Sequence, residues 1–184
     1  ENVIDFKTFE ALIERQIAAG VAAVAVCGTT GENATLTDPE HKRLIRHAVE
    51  CAAGRVPVIA GTGSNDTNHA IEMSKYACDA GADALLVVTP YYNKASQEGL
   101  IKSYTAIADS VNKPLVLYNV PSRTCVDLSP STCEALSRHP NIVALKEASP
   151  SLSKAIQTLH LCGDKLDIYA GSDELTLPML AVGG

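Results

Sequence analysis

The sequence predicts an α/β fold built on a parallel sheet, and two observations support this prediction. Helical patterns alternate with six short apolar runs at a spacing of about 30 residues, the length of one strand-plus-helix unit. Each run is almost continuous in Val, Ile, Leu and Ala, as in strands that are buried on both faces. The predicted strands are residues 21–27, 56–60, 84–89, 114–118, 142–145 and 166–170.

The joints between these predicted elements carry recognisable helix signals. The first helical pattern covers residues 5–19. Thr37 and Glu40 fit a capping box at the start of a helix, and Ser129 followed by Pro130 fits a capped start with proline in the first turn. Three joints share a glycine that ends a helix just before a strand, namely Gly20, Gly54 and Gly81. The signals therefore agree with alternating helices and strands.

The number of elements predicts a barrel that is not complete. A helical pattern precedes the first predicted strand, and another begins near Glu174. If every helix follows a strand, one strand belongs before residue 5, and closure at eight strands needs a further unit after residue 184. A complete (β/α)8 TIM barrel needs at least about 200 residues. We interpret residues 1–184 as a single, partial (β/α)8 barrel domain; the alternative is a doubly wound sheet, which periodicity does not distinguish.

Composition excludes several classes of function. The 184 residues include 15 Lys or Arg and 21 Asp or Glu, a net charge of −6, and 4% aromatic residues with no Trp. We therefore expect no nucleic-acid partner, because phosphate binding needs a basic surface. We also expect no membrane association, since the longest uncharged stretch, residues 16–31, is interrupted by glycine and threonine. The six widely spaced cysteines predict reduced thiols in the cytoplasm, and the five histidines form no close metal-ligand pair.

Polar and unusual residues cluster where the predicted strands end. These segments are residues 28–32, 89–93, 118–124, 146–149 and 171–174. Loops at the carboxyl ends of parallel strands converge on one face, which holds the active site in both barrels and open sheets. The placement predicts an enzyme.

Lys146 is the most informative of these residues. It follows an apolar run, and strand alternation places Ile142, Ala144 and Lys146 on one face. If that face is the barrel interior, the amine lies at the mouth of an apolar channel, where a neutral amine forms a Schiff base with a ketone. The alternative is a lysine that reaches solvent and pairs with Glu147, and for this segment alone that alternative is favoured about two to one.

Four further candidates each have a functional and a structural interpretation. Tyr118 ends an apolar strand and is either a proton relay or a core tyrosine with a wet hydroxyl. Thr29 and Thr30, between two glycines, suit a carboxylate or form a plain turn. Arg123 either binds a carboxylate bidentately or is a surface arginine. A glycine-rich stretch at residues 61–64 is only a weak nucleotide-binding signal.

Taken together, these motifs resemble the dihydrodipicolinate synthase family of pyruvate-dependent class I aldolases. The matching segments, in the family's order and spacing, are residues 28–32, 89–94 with 96–100, 118–124 and 146–148. The resemblance implies a (β/α)8 barrel with a C-terminal helical part, a cytoplasmic homotetramer, and condensation of pyruvate with L-aspartate 4-semialdehyde in the diaminopimelate route of lysine biosynthesis. It implies no metal and no cofactor beyond a covalent pyruvate imine.

The resemblance also implies a catalytic role for particular residues of this chain. Lys146 would form the imine, and Tyr118, Thr29 and Tyr92 would form the proton relay. In the family, the residue at the position of Tyr92 enters the site from a neighbouring subunit across a tight dimer interface.

Substrate binding is implied for three other residues. Thr30 would bind the pyruvate carboxylate, Arg123 the carboxylate of the second substrate, and Gly171 would line the imine pocket through its backbone. Two alternatives stay open: a related sugar-acid aldolase or lyase similar to N-acetylneuraminate lyase, and a non-catalytic interaction fragment.

The resemblance finally implies a possible regulatory site for lysine at the tight dimer interface. Its candidate residues are Asn33, His41, Asn65, His69 and Tyr91, with Asp38 beside them. Lysine-inhibited members of the family usually carry a glutamate at the position of His69, and a histidine is common at that of Asp38. Because a carboxylate binds an ammonium group more strongly than a histidine does, we expect weak or absent inhibition by L-lysine.

Overall fold

The structure, a computed structural model, describes residues 3–184 as one six-stranded sheet with helices between successive strands. The strands are β1 (Val24–Val26), β2 (Val58–Gly61), β3 (Ala84–Val88), β4 (Leu115–Asn119), β5 (Ile142–Glu147) and β6 (Asp167–Ala170). The helices are α1 (Phe6–Ala18), α2 (Asp38–Ala52), α3 (Thr67–Asp79), α4 (Gln97–Asp109), α5 (Pro121–Thr124), α6 (Pro130–Leu136), α7 (Leu152–Cys162) and α8 (Thr176–Ala181).

All neighbouring strands run parallel, and their order in the sheet is their order in the sequence. Side chains from all six strands line one shared cavity of about 250 Å³, which shows that the sheet is curved around it. Sequential parallel strands around a common interior are the arrangement of a (β/α)8 barrel, whereas a doubly wound sheet reverses its strand order. The described residues thus form six strands of such a barrel, and the predicted fold class is confirmed.

The hydrophobic core lies between the sheet and the helices. Alternate residues of each strand enter it, as Leu85 and Val87 of β3 do, while Leu86 between them faces the barrel interior. Helices α2, α3 and α4 contribute buried residues such as Ile45 and Met73. None of the helices formed by residues 3–184 is long and apolar enough to span a membrane.

The predicted helix starts at Thr37 and Ser129 are confirmed. The Glu40 carboxylate accepts hydrogen bonds from the Thr37 backbone N–H (2.9 Å) and hydroxyl (2.7 Å). Ser129 Oγ accepts from the backbone N–H of Thr132 at 3.1 Å, and Pro130 is the first residue of α6. These local contacts fix where each chain segment enters its helix.

Strand boundaries differ from the predicted runs at either end of a strand. The strand predicted at residues 21–27 begins only at Val24, where the backbone N–H of Val24 donates to the Pro57 carbonyl at 3.0 Å. The strand predicted to end at Leu145 instead continues through Glu147. Apolar composition indicates which residues are buried. Hydrogen bonding to a neighbouring strand determines which of them belong to a β-strand.

A β-bulge in β5 corrects the predicted facing of its side chains. Leu115 pairs with Ile142 and Val116 pairs with Ala144, so Val143 is an extra residue in the ladder. Ile142 therefore packs in the core on the helix side, while Ala144 and Lys146 line the interior cavity. The prediction that Ile142 shares a face with Lys146 is wrong, because the bulge interrupts strand alternation.

The glycine-rich stretch at residues 61–64 has a steric explanation. A Cβ at Gly61 would lie 2.1 Å from the carbonyl oxygen of Cys27, and one at Gly63 would lie 2.4 Å from the backbone nitrogen of Val88. Both glycines therefore permit close approach of neighbouring strand ends, which is a packing requirement.

Candidate active site

Lys146 lies one residue before the end of β5 and lines two cavities. One is the interior cavity of the sheet, and the other, of about 280 Å³, also has Thr29, Thr30 and Leu86 in its wall. The structure therefore places the amine where the barrel interior meets the loop after β1. This is the geometry that the Schiff-base interpretation of Lys146 requires.

Tyr118 and Thr29 lie beside Lys146. Tyr118 is the register partner of Lys146 on the neighbouring strand, and Lys146 Nζ lies 4.4 Å from the centroid of the Tyr118 ring. The Thr29 hydroxyl donates a long hydrogen bond of 3.5 Å to the Tyr118 hydroxyl. Catalytic hydrogen bonds are often long before substrate binds, so this arrangement suits a proton relay.

Gly171 lies at the end of β6 against the residues that follow Lys146. Its backbone N–H donates to the Glu147 carbonyl at 2.7 Å. A Cβ at this position would lie 2.7 Å from Ala148 Cβ, a distance that real Cβ atoms essentially never show. The contact requires glycine and brings the loop after β6 close to β5.

Two other predicted site residues are more peripheral. Arg123 is exposed on α5, the short helix directly after β4, and does not line either cavity. Tyr92 is 87% exposed and has a φ of +72°. Within residues 3–184, no hydrogen bond joins Tyr92 to Thr29 or Tyr118. The chain alone therefore assembles Lys146, Tyr118 and Thr29 but does not bring Tyr92 to them.

Unusual backbone conformations concentrate around this face. The non-glycine residues with positive φ in the described part of the chain are Cys27, Glu32, Ala53, Tyr92, Lys94 and Cys125. All except Ala53 lie in segments that follow the carboxyl ends of β1, β3 and β4. Backbone conformations of this kind cluster at functional sites, where the surrounding structure maintains them.

The nearest thiol is not a competing nucleophile. Cys27 directly follows β1 and precedes the loop that contains Thr29. Burial raises the pKa of Cys27 to about 12, so the thiol is neutral near pH 7. Cys27 is therefore not an activated thiolate beside Lys146.

Asp38, His41 and His69 of the predicted regulatory group lie near one another on a different part of the chain. His69 Nε2 lies 3.0 Å from Asp38 Oδ1, and buried His41 hydrogen-bonds through Nε2 to the Gly61 carbonyl at 2.8 Å. Burial, with a smaller contribution from His69, lowers the pKa of His41 below its ordinary value of 6.5. The Asp38 carboxylate is thus within hydrogen-bonding distance of the His69 ring.

Two further residues of this group, Asn65 and Tyr91, are connected through Asn93. Asn93 Nδ2 donates to the Asn65 carbonyl at 2.8 Å, and its backbone N–H donates to the Tyr91 carbonyl at 2.8 Å. Asn33 begins a short 3₁₀ turn before α2. The structure therefore connects the loop of Asn65 with that of Tyr91.

Sequence reasoning missed two clusters. Asn119 and Glu147 are buried neighbours of Tyr118 and Lys146, and their tandem position after the two candidate residues was an available signal.

Glu10, His47 and Cys51 bring potential metal-ligand atoms within 4.8 Å of one another between α1 and α2. That second cluster includes none of the candidate site residues, and only the i,i+4 spacing of His47 and Cys51 hinted at it.

The chain is similar to known proteins along its whole length. The family model of the Dihydrodipicolinate synthetase family matches residues 1–184. The chain is 54% identical over 183 residues to a 4-hydroxy-tetrahydrodipicolinate synthase of Citrifermentans bemidjiense, a match that covers 100% of this chain and 63% of that protein. The chain therefore spans 63% of the length of this curated relative.

Solved structures share the fold at high similarity. The dihydrodipicolinate synthase from Acinetobacter baumannii complexed with pyruvate has a TM-score of 0.96 and 45% identity, covering 98% of this chain and 62% of that one. DHDPS from Cyanidioschyzon merolae with lysine bound has a TM-score of 0.96 and 41% identity, covering 100% and 62%.

Proposed function

This chain belongs to the Dihydrodipicolinate synthetase family, and we propose that the intact protein is a lyase that condenses pyruvate with L-aspartate 4-semialdehyde. The observation that carries the proposal is the placement of Lys146 Nζ 4.4 Å from the Tyr118 ring centroid, with Thr29 hydrogen-bonded to the Tyr118 hydroxyl. Imine chemistry needs an amine that attacks the ketone and nearby hydroxyl groups that transfer protons, and this site has both.

The reaction begins with covalent capture of pyruvate. The Lys146 amine attacks the keto carbon of pyruvate, and the carbonyl oxygen leaves as water to give an imine. The protonated imine withdraws electrons, so the methyl group loses a proton and an enamine forms. Tyr118 carries protons between these groups and water, and Thr29 orients its hydroxyl.

Carbon–carbon bond formation and release follow from the same residues. The enamine carbon attacks the aldehyde carbon of the second substrate, whose oxygen takes up a proton. The amino group of that substrate then attacks the imine carbon, closes the ring and releases Lys146 as a free amine. Neither step needs a metal or an organic cofactor.

Substrate recognition is assigned to three further residues. Thr30 lines the same cavity as Lys146 and binds the pyruvate carboxylate. Arg123 binds the carboxylate of the semialdehyde, for which its guanidinium offers matching fork geometry. Gly171 forms part of the imine pocket through its backbone, where a side chain would collide with Ala148.

We propose that the intact protein is a cytoplasmic homotetramer, a dimer of dimers. The exposure of Tyr92 supports a tight dimer interface across which this side chain reaches the neighbouring subunit. There it completes the proton relay of the partner's site. The six free cysteines of the described chain support a reducing compartment.

Borohydride trapping tests the proposed function directly. The intact protein, treated with pyruvate and borohydride, should gain the mass of one reduced pyruvate at Lys146 on peptide mapping. Lys146→Arg should lose the label, whereas Lys165→Arg, a change at an exposed lysine after α7, should retain it. Labelling at another lysine, or none in an active enzyme, would contradict the assignment.

A further inference from the structure

Strands β4 and β5 carry two successive register pairs that face opposite sides of the sheet. Tyr118 and Lys146 form the first pair, and Asn119 and Glu147 form the second. Asn119 is 0% exposed and Glu147 is 1% exposed. Asn119 Nδ2 donates to both carboxylate oxygens of Glu147, at 2.9 and 3.1 Å. A buried polar pair therefore follows the candidate catalytic pair along β4 and β5 and faces the opposite side of the sheet.

The charge of Glu147 is compensated by Lys154 of α7. Lys154 Nζ lies 3.1 Å from Glu147 Oε2 and also contacts Asp127, and its side chain is only 13% exposed. The backbone N–H of Ser149 donates to Glu147 Oε1 at 2.7 Å. Because a buried carboxylate without such partners is strongly unfavourable, Glu147 is held in one position by several contacts at once.

The same cluster fixes the loops around the candidate site. Asn119 Nδ2 donates to Asp127 Oδ1 at 2.8 Å, and Asn119 Oδ1 accepts from the Leu128 backbone N–H at 3.0 Å. These contacts anchor the segment that follows the helix of Arg123. The Glu147 carbonyl accepts from the Gly171 N–H at 2.7 Å, which connects the end of β6 to the same point.

We propose that Glu147, held by Lys154 and Asn119, is a positioning residue for Lys146. This inference rests on the proposed function. The cluster fixes the carboxyl ends of β4 and β5 relative to each other, so that Lys146 Nζ stays over the Tyr118 ring and within reach of the relay. Buried ion pairs add little net stability on average, whereas a displacement of about 1 Å at a reacting group costs about 100-fold in rate.

Single substitutions in the intact protein separate positioning from simple stability. Glu147→Gln and Lys154→Met should each lower kcat by about 10- to 100-fold, counted per site that borohydride labels, while the KM for pyruvate changes by less than about threefold. Lys154→Arg keeps a cation opposite Glu147 and should recover most of the lost rate. Glu134→Gln is the matched control, since Glu134 lies on α6 and its ion pair with Arg138 is on the surface.

The possible outcomes are distinct. If Glu147→Gln does not fold, the comparison of Lys154→Met with Lys154→Arg still decides the question. Folded variants with a lower melting temperature but wild-type kcat per labelled site would show a purely structural role and overturn the inference. Absence of labelling at Lys146 in the wild-type protein would instead overturn the proposed function, and this inference with it.

Discussion

Lys146 and Tyr118 are register partners on adjacent parallel strands, and the lysine amine lies 4.4 Å from the centroid of the tyrosine ring. The ring face holds the amine at the interior of the sheet, and the tyrosine hydroxyl extends toward Thr29. One side chain therefore contacts the nucleophile with its ring and the relay partner with its hydroxyl. This division makes the two roles of Tyr118 separable by mutation.

Tyr118→Phe should lower kcat by about 10²- to 10⁴-fold, because it removes the proton-carrying hydroxyl and keeps the ring. The melting temperature should change little, since the packing of the ring is retained. Steady-state condensation assays measure the effect, with Tyr76→Phe on α3 as the control. A Tyr118→Phe enzyme with the wild-type rate would remove Tyr118 from the mechanism.

Arg123→Ala should raise the apparent KM for L-aspartate 4-semialdehyde far more than that for pyruvate. Loss of a charge-assisted contact costs about 1.5–3 kcal/mol, or roughly 10- to 150-fold in binding. Initial-rate kinetics with each substrate varied in turn provide the test, and Arg138→Ala, at an exposed arginine after α6, is the control. A selective effect on pyruvate would reverse the assignment.

Gly171→Ala should destabilise the protein by about 1–3 kcal/mol, because its Cβ would lie 2.7 Å from Ala148 Cβ. The rate of imine formation should fall as well, since the clash displaces the residues that follow Lys146. Thermal unfolding and borohydride trapping measure the two effects. Gly99→Ala, within α4, should be neutral or stabilising; equal behaviour of both variants would refute the steric argument.

Stability should decrease as the pH falls below about 6.5, partly because of His41. Burial lowers the folded-state pKa of His41, so the unfolded chain binds a proton more readily than the folded one. This contribution is complete above 6.5 and is lost as the pH falls toward the lowered folded value. Denaturant unfolding between pH 8 and pH 5 should show a shallower decrease for His41→Gln, with His160→Gln as an exposed control; equal slopes for both variants would exclude His41.

L-lysine should inhibit the intact enzyme weakly. His69 occupies the position where the family resemblance expects a glutamate, and Asp38 is engaged with His69 at 3.0 Å. His69→Glu should strengthen inhibition, because it supplies a carboxylate for the lysine ammonium group. Lysine titrations of wild type, His69→Glu and the exposed control Gln157→Glu decide the matter. Wild-type half-inhibition well below millimolar concentration would contradict the expectation.

Local signals made the order of elements predictable from the sequence. The cap at Thr37 and the apolar run of β3 depend on neighbouring residues, and both appear where they were expected. The start of β1 did not follow from composition, because Val21 is as apolar as Val24 but only Val24 pairs with a residue of β2, Val58. Pairing of this kind is a property of the folded sheet.

The sequence likewise predicts some residues of the candidate site and not others. Lys146 and Tyr118 stand at strand ends, and parallel topology alone brings strand ends together. Glu147 was considered only as a surface partner of Lys146, yet it points to the helix side and binds Lys154. That contact depends on the packing of α7 against the sheet, which no local pattern records.

The extra residue in β5 determines how this strand can change in length. Without Val143, the sequence would alternate regularly, with Ile142 and Leu145 toward the helices and Ala144 and Lys146 toward the interior. A deletion at Val143 would thus leave the amine on its present side. A deletion of Ala144 or Leu145 would have to be absorbed by the bulge or would turn the amine into the apolar core. The bulge therefore allows β5 to lose one residue while the amine continues to face the interior.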